Sequence, residues 1–94
     1  MYAFVLEADG FEFLIDPAEL WKPPRVLVRS GWRQAEVWLD EENLSFRRPG
    51  RFGQREEAKI LAVVRENLAD FLGAWFRLRE DVRRDRLDRN LLIE

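Results

Sequence analysis

The chain contains no cysteine and no histidine. The first absence excludes disulfides, thiolate metal sites and a cysteine nucleophile. The second removes the commonest general base, the commonest metal ligand and the usual proton switch near neutral pH. Most hydrolase, nuclease and metalloenzyme schemes lose their central residue here. No catalytic residue, metal ligand or cofactor is therefore expected, and the chain reads as non-enzymatic. No apolar run approaches the roughly twenty residues of a membrane helix. The opening stretch MYAFVLEADG lacks a basic segment followed by a long apolar one, so no signal peptide is expected and the cytoplasm is the expected location. Charge of one sign is also missing. Sixteen basic against 18 acidic residues leave a net charge of −2, which does not favour nucleic acid or an anionic membrane as the main partner.

What is present suffices for one packed core. Ninety-four residues imply a single domain over 1–94. Hydrophobic residues make up 47% and aromatics 13%, with four Trp and seven Phe, too many for a disordered chain.

Two hairpins are legible. Tyr2–Glu7 and Phe11–Asp16 flank Asp9-Gly10, a favoured tight-turn pair. Within the second segment Phe11, Phe13 and Ile15 alternate with Glu12 and Leu14. Asp16, Pro17 and Glu19 carry the signature of one helical turn, and Pro23-Pro24 then force extended backbone. Arg25–Ser30 and Gln34–Asp40, joined around Gly31, form the second hairpin, and a short strand is expected at Leu44–Arg47. From Gln54 the period becomes helical. Ile60, Leu61, Val64, Leu68, Phe71, Leu72, Trp75 and Leu78 make one broad stripe to about Glu80. A straight helix of that length would be near 40 Å at ~1.5 Å per residue, so a break is expected near Asn67 or Gly73. The tail 81–94 is charged, with helix-spaced pairs Glu80–Arg84 and Asp85–Arg89. Its apolar end, Leu91–Glu94, is expected to dock on the sheet or on a partner.

The fold expectation is α+β: an antiparallel sheet of four to five strands (about 2–48) with a C-terminal helical segment (about 54–80) on one face. The stripe should cover Phe11, Phe13, Ile15, Val26, Val28, Ala35, Val37 and Leu39. The other, wet face then carries Glu12, Leu14, Arg25, Leu27, Arg29, Glu36 and Trp38. An apolar, arginine-flanked patch of this kind suits an interface. Leu14, Arg25, Leu27, Arg29 and Trp38 are the candidate partner-binding residues. The plain alternative is ordinary scattered surface apolar residues, with Trp38 covered by the tail or by Trp21.

PPRVLV, AEVWLD, RFG and KILAVVRENLADFLGAW occur in the order and spacing of an uncharacterised family of small bacterial domains. Over Pro23 to about Phe76 the chain resembles that family, whose members carry a Pro-Pro-His-x-His strand, a Trp-Leu-Asp strand and a Glu-Asn…Leu-Leu-x-x-Trp helix. The resemblance implies a two-gene bacterial module of toxin–antitoxin type, with this chain as its accessory or antitoxin-like member. Both family histidines are replaced, by Arg25 and Leu27, so no metal or proton-transfer role carries over. The implied partner is another small protein or a second copy, as in a homodimer.

Arg47, Arg48, Arg51 and Arg55, interleaved with Phe46 and Phe52, support a nucleic-acid-binding alternative. A flexible charged loop is the plainer reading, and neighbouring Asp40, Glu41, Glu42, Glu56 and Glu57 oppose the field. A phage- or plasmid-borne inhibitor docking on a host or defence complex is a third reading. Adjacent carboxylates such as Glu41-Glu42 do not converge as an acid–base pair would, and Ser30 and Ser45 have no histidine base.

Overall fold

A computed structural model of the chain describes residues 2–93, with side chains over 2–85. The Asp85–Arg89 pair and the docking of Leu91–Glu94 lie outside the described residues. Five antiparallel strands run in sequence order: β1 (Ala3–Ala8), β2 (Phe11–Ile15), β3 (Arg25–Ser30), β4 (Arg33–Trp38) and β5 (Phe46–Arg48). A single 3₁₀ turn, Pro17–Glu19, joins β2 to β3, and two helices follow, α1 (Gln54–Glu66) and α2 (Leu68–Ile93). The architecture is α+β, as the periodicities predict.

Local chemistry explains the connections. Asp9 and Gly10 both have positive φ, 53° and 83°, the backbone twist that a two-residue hairpin turn favours. In β1 the register slips between Phe4 and Leu6. Val5 is therefore an extra residue, and Val5 and Leu6 both pack on the core although they are adjacent. Asp16 caps the 3₁₀ turn by accepting the Ala18 N–H at 3.0 Å, which delivers Leu20 into the core with no exposed surface.

Every residue expected beneath the helices is buried: Phe11, Phe13, Ile15, Val26, Val28, Ala35, Val37 and Leu39. Cross-strand partners alternate in phase (Phe13 faces Val28, and Val28 faces Ala35). Ile60, Val63, Val64, Phe71 and Trp75 supply the helical side. Phe13 stacks on Phe71 with ring centroids 5.5 Å apart, and Phe11 meets Phe52 edge-on at 5.6 Å. Burying a side chain of this kind contributes about 1.5–3 kcal/mol, more than a single exposed ion pair supplies.

The helical segment breaks at Asn67, one of the two positions expected, and not at Gly73. Both the backbone N–H and the side-chain amide of Asn67 donate to the Val63 carbonyl, at 3.1 and 2.9 Å. Its backbone (φ −115°, ψ 17°) leaves the helical region, and the Phe71 N–H resumes the ladder on the Asn67 carbonyl. A side chain with a local hydrogen-bond alternative thus ends one helix and starts the next. The stripe splits accordingly. Ile60 and Phe71 join the main core, while Trp75 packs with Ile15 and Leu20 in a second cluster at the end of β2.

Gly50 shows where sequence is held to one residue. Its φ is 65°, and a Cβ would stand 2.0 Å from the Gln34 carbonyl oxygen. Gly31 has φ 61° but open space around it. Gly31→Ala should therefore cost only the left-handed strain, about 1–3 kcal/mol, and Gly50→Ala clearly more, because backbone must also move. Urea midpoints of the two variants check this. Equal losses would show that the Gly50 contact is not limiting.

Candidate binding surfaces

The second face of the sheet is built as rows across the strands. Phe4, Leu14, Leu27, Glu36 and Arg48 follow one another in register from β1 to β5. Arg29 lies between Glu12 and Gln34 in the next row, and Arg25 stands opposite Trp38.

This face departs from the open, apolar surface expected of it in two places. Leu14 is buried, between Phe4 and Leu27 in its row. Arg25 is buried too, only 6% exposed. The 3₁₀ turn explains the second case. With Leu20 anchored below, Glu19 is carried to the face, and its Oε2 lies 2.6 Å from Arg25 Nη2 and 2.9 Å from Lys22 Nζ. The Arg25 guanidinium also stands 6.0 Å from the centre of the Trp38 ring. Arg25 is thus a structural cation and not a free contact for a partner.

The remaining expected contacts are more accessible. Leu27 and Trp38 are half-buried. Arg29 is held by Glu12 across the strands at 3.4 Å. Arg47 also lies 5.7 Å from the centre of the Trp38 ring and is itself paired with Glu36. Arg47 therefore belongs to the sheet face and leaves the arginine cluster expected between strand and helix.

What remains of that cluster has gained a residue that the alternation pattern does not single out. Trp32, at the β3–β4 turn, is 74% exposed, and the Arg51 guanidinium lies 5.5 Å from its ring. Arg48, Arg51 and Arg55 have no acid partner among the described residues. Arg33 does: its Nη1 meets Glu56 Oε1 at 2.7 Å.

Of the concavities along the sheet, two adjoin Trp38 and Arg25. The larger, about 790 Å³, has Trp38, Leu39, Leu72 and Pro24 in its wall and Asp40, Glu41 and Glu42 along its rim. Its loop is pinned. The Trp38 N–H donates to the Ser45 carbonyl at 2.9 Å, Leu39 N–H to Pro24 at 3.1 Å and Glu42 N–H to the Asp40 carboxylate at 3.0 Å. Glu41 and Glu42 side chains have no partner among the described residues. The smaller, about 190 Å³ and more enclosed, lies over the second face beside Glu19, Arg25 and Glu36, with Trp75 in its wall. The Trp75 indole N–H is shielded yet has no protein acceptor, a state worth about 1–3 kcal/mol of destabilisation if nothing accepts from it.

No three metal-binding side chains converge among the described residues, and no helix there is long and apolar enough to cross a membrane. Comparison with protein-family models, curated proteins and solved structures finds no match to the chain.

The ion pairs give the fold an acid limb. Hydrogen bonds from Lys22 and then Arg25 hold the Glu19 carboxyl below the ordinary glutamate range. The Arg33 guanidinium, followed by the Gly53 N–H, does the same for Glu56. A carboxylate with a lowered folded pKa contributes stability above its unfolded value and loses it as pH falls through the folded one. Glu19→Gln/Glu56→Gln should therefore be less stable than the parent chain at pH 7. That gap should close as pH falls through and below the ordinary glutamate range. Urea midpoints measured across pH 2–7 decide it, and a pH-independent gap would remove the ion pairs from the account.

Proposed function

We propose that the chain is a non-enzymatic protein-interaction domain, the accessory or antitoxin-like member of a small two-gene bacterial module, working in the cytoplasm. The observation that supports this reading is the pinned, acid-rimmed groove at Trp38. A tryptophan and Leu72 supply desolvated contact area of the sort that concentrates binding energy. Three carboxylates on a rigid loop would set the sign of the partner's charge, and the hydrogen-bonded loop lowers the ordering cost of docking. The partner is accordingly a second small protein that presents an apolar side chain beside Lys or Arg. A second copy of this chain is the competing occupant.

Of the residues first expected to form the docking face, Leu27, Arg29 and Trp38 remain available. Leu14 and Arg25 hold the face from within. The expected outcome is that affinity beads carrying the parent chain retain the product of the adjacent gene, and that beads carrying Trp38→Ala or Glu41→Lys/Glu42→Lys do not. The charge reversal should act mostly on the association rate and its salt dependence. Retention by both variants, with their circular dichroism unchanged, would reject the groove. Light scattering on the purified chain separates self-association from a hetero-complex.

A second reading is favoured by one observation, the pairing of exposed Trp32 with Arg51. A ring and a guanidinium presented together form a stacking platform for an unpaired base, with Arg55 and Arg48 to meet phosphate. Stacking is worth about 1–3 kcal/mol per base, so Trp32→Ala should weaken binding of a labelled single-stranded oligonucleotide roughly 5- to 150-fold. Arg51→Ala should lower both affinity and salt dependence. Anisotropy titrations at low ionic strength test this. Absence of binding, or variants that bind as the parent does, would eliminate it.

A further inference from the structure

We propose that the outer edge of β1 is a dimer interface, at which a second copy of this chain pairs antiparallel and continues the sheet. The inference uses neither the groove at Trp38 nor the corner at Trp32, and it does not rest on either reading.

The two edges of the sheet are built differently. β5 has three residues, and Arg47, Arg48 and Pro49 close it, the short, charged and proline-ended form that resists strand addition. β1 has six residues, of which Glu7 alone is charged, and no proline. It pairs with β2 only, and its outer N–H and C=O groups meet no partner among the described residues. Phe4 stands 58% exposed on this edge. Beside it, on the helix side, Ala3, Val5, Ile15, Ala74 and Leu78 line an open groove of about 280 Å³. An unpaired backbone edge next to an apolar groove fits an added strand.

The residues of β1 indicate which strand. Phe4 and Glu7 pair with Leu14 and Glu12 on the second face, whereas Ala3, Leu6 and Ala8 pair with Ile15, Phe13 and Phe11 on the core face. The bulged Val5 packs on the core as well. Face by face, the strand reads the same in both directions. Its exposure does too, since Phe4 and Glu7 are exposed and the other four residues half-buried. An antiparallel two-fold pairing exchanges the ends of a strand. Centred between Val5 and Leu6, it sets Ala3 against Ala8, Phe4 against Glu7 and Val5 against Leu6, and every pair shares a face. A bulge blunts an edge against a foreign strand, but here it lies at the centre of symmetry, where a second copy brings the same bulge. The charges of the groove, Arg77 and Asp81, lie one turn apart on α2. They are opposite in sign and not ion-paired among the described residues, so each copy carries the counter-charges that its twin needs. Pairing consumes β1 on both copies and leaves only the guarded β5 edges, so assembly stops at two.

Analytical ultracentrifugation of the full chain across a concentration series tests this. The expected result is a reversible dimer that Trp38→Ala leaves intact. Phe4→Lys should weaken dimerisation at least about tenfold, the scale of one lost aromatic contact, with circular dichroism unchanged. A monomer throughout the series, a Phe4→Lys chain that dimerises as the parent does, or growth beyond two copies would overturn the proposal. Because the chain has no cysteine, cross-linking reads the register even where Phe4→Lys does not fold. Phe4→Cys mixed with Glu7→Cys should form a disulfide-linked dimer, since opposed residues lie about 4.5–5.5 Å apart. Either variant alone should not, since like positions are three residues apart along the strand, roughly 10 Å and outside disulfide reach. Equal cross-linking in all three samples, or none in the mixture, would reject the interface.

Discussion

One apolar stripe has to cover a twisted five-stranded sheet, and this constraint organises the molecule. A straight helix diverges from a twisted surface, so the stripe cannot stay in contact along its whole length. Asn67 resolves the conflict by drawing both its N–H groups to the Val63 carbonyl and releasing the chain to restart. Phe71 then remains over Phe13, and Trp75 reaches the far end of β2 to close on Ile15 and Leu20. With that ring in place, Leu20 is held and the 3₁₀ turn has a fixed height above the sheet.

The turn's height decides the second face. Glu19 is set beside Arg25, and a side chain that alternation assigns to water becomes a buried cation with a close carboxylate. Burying a charge without a partner is expensive, and a paired one is tolerated when further groups surround it. Here Lys22, Glu36, Arg47 and Trp38 complete the surroundings. The face is therefore a polar concavity with an apolar corner, not a flat hydrophobic patch.

The arginines divide along the same line. Arg25, Arg29, Arg33 and Arg47 meet acids on neighbouring strands, on the 3₁₀ turn or on α1. Arg48, Arg51 and Arg55 meet none among the described residues. A balanced total charge conceals this partition, because near-neutrality of the chain says nothing about which cations remain uncompensated. The positive surplus lies at the β5–α1 corner around Trp32, and the negative one on the β4–β5 loop at Asp40, Glu41 and Glu42. The contacts proposed at Trp38 and at Trp32 use these opposite ends.

Four or five strands, both hairpins, the core face and a helix break at either Asn67 or Gly73 were legible in the residues alone. Each of these follows from local rules: period two in Phe11–Ile15, positive φ at Asp9-Gly10, a helical stripe and a side chain that competes with its own backbone. The candidate face was half legible, since Leu27, Arg29 and Trp38 lie where alternation puts them. Alternation did not reveal that Arg25 and Leu14 are covered, that Arg47 turns back to Trp38, or that Trp32 stands exposed beside Arg51. The reason is physical. Alternation reports which side of a strand a residue occupies, whereas burial depends on what a distant segment lays over that side. That covering depended on Leu20 and Trp75 meeting 55 positions apart in the chain.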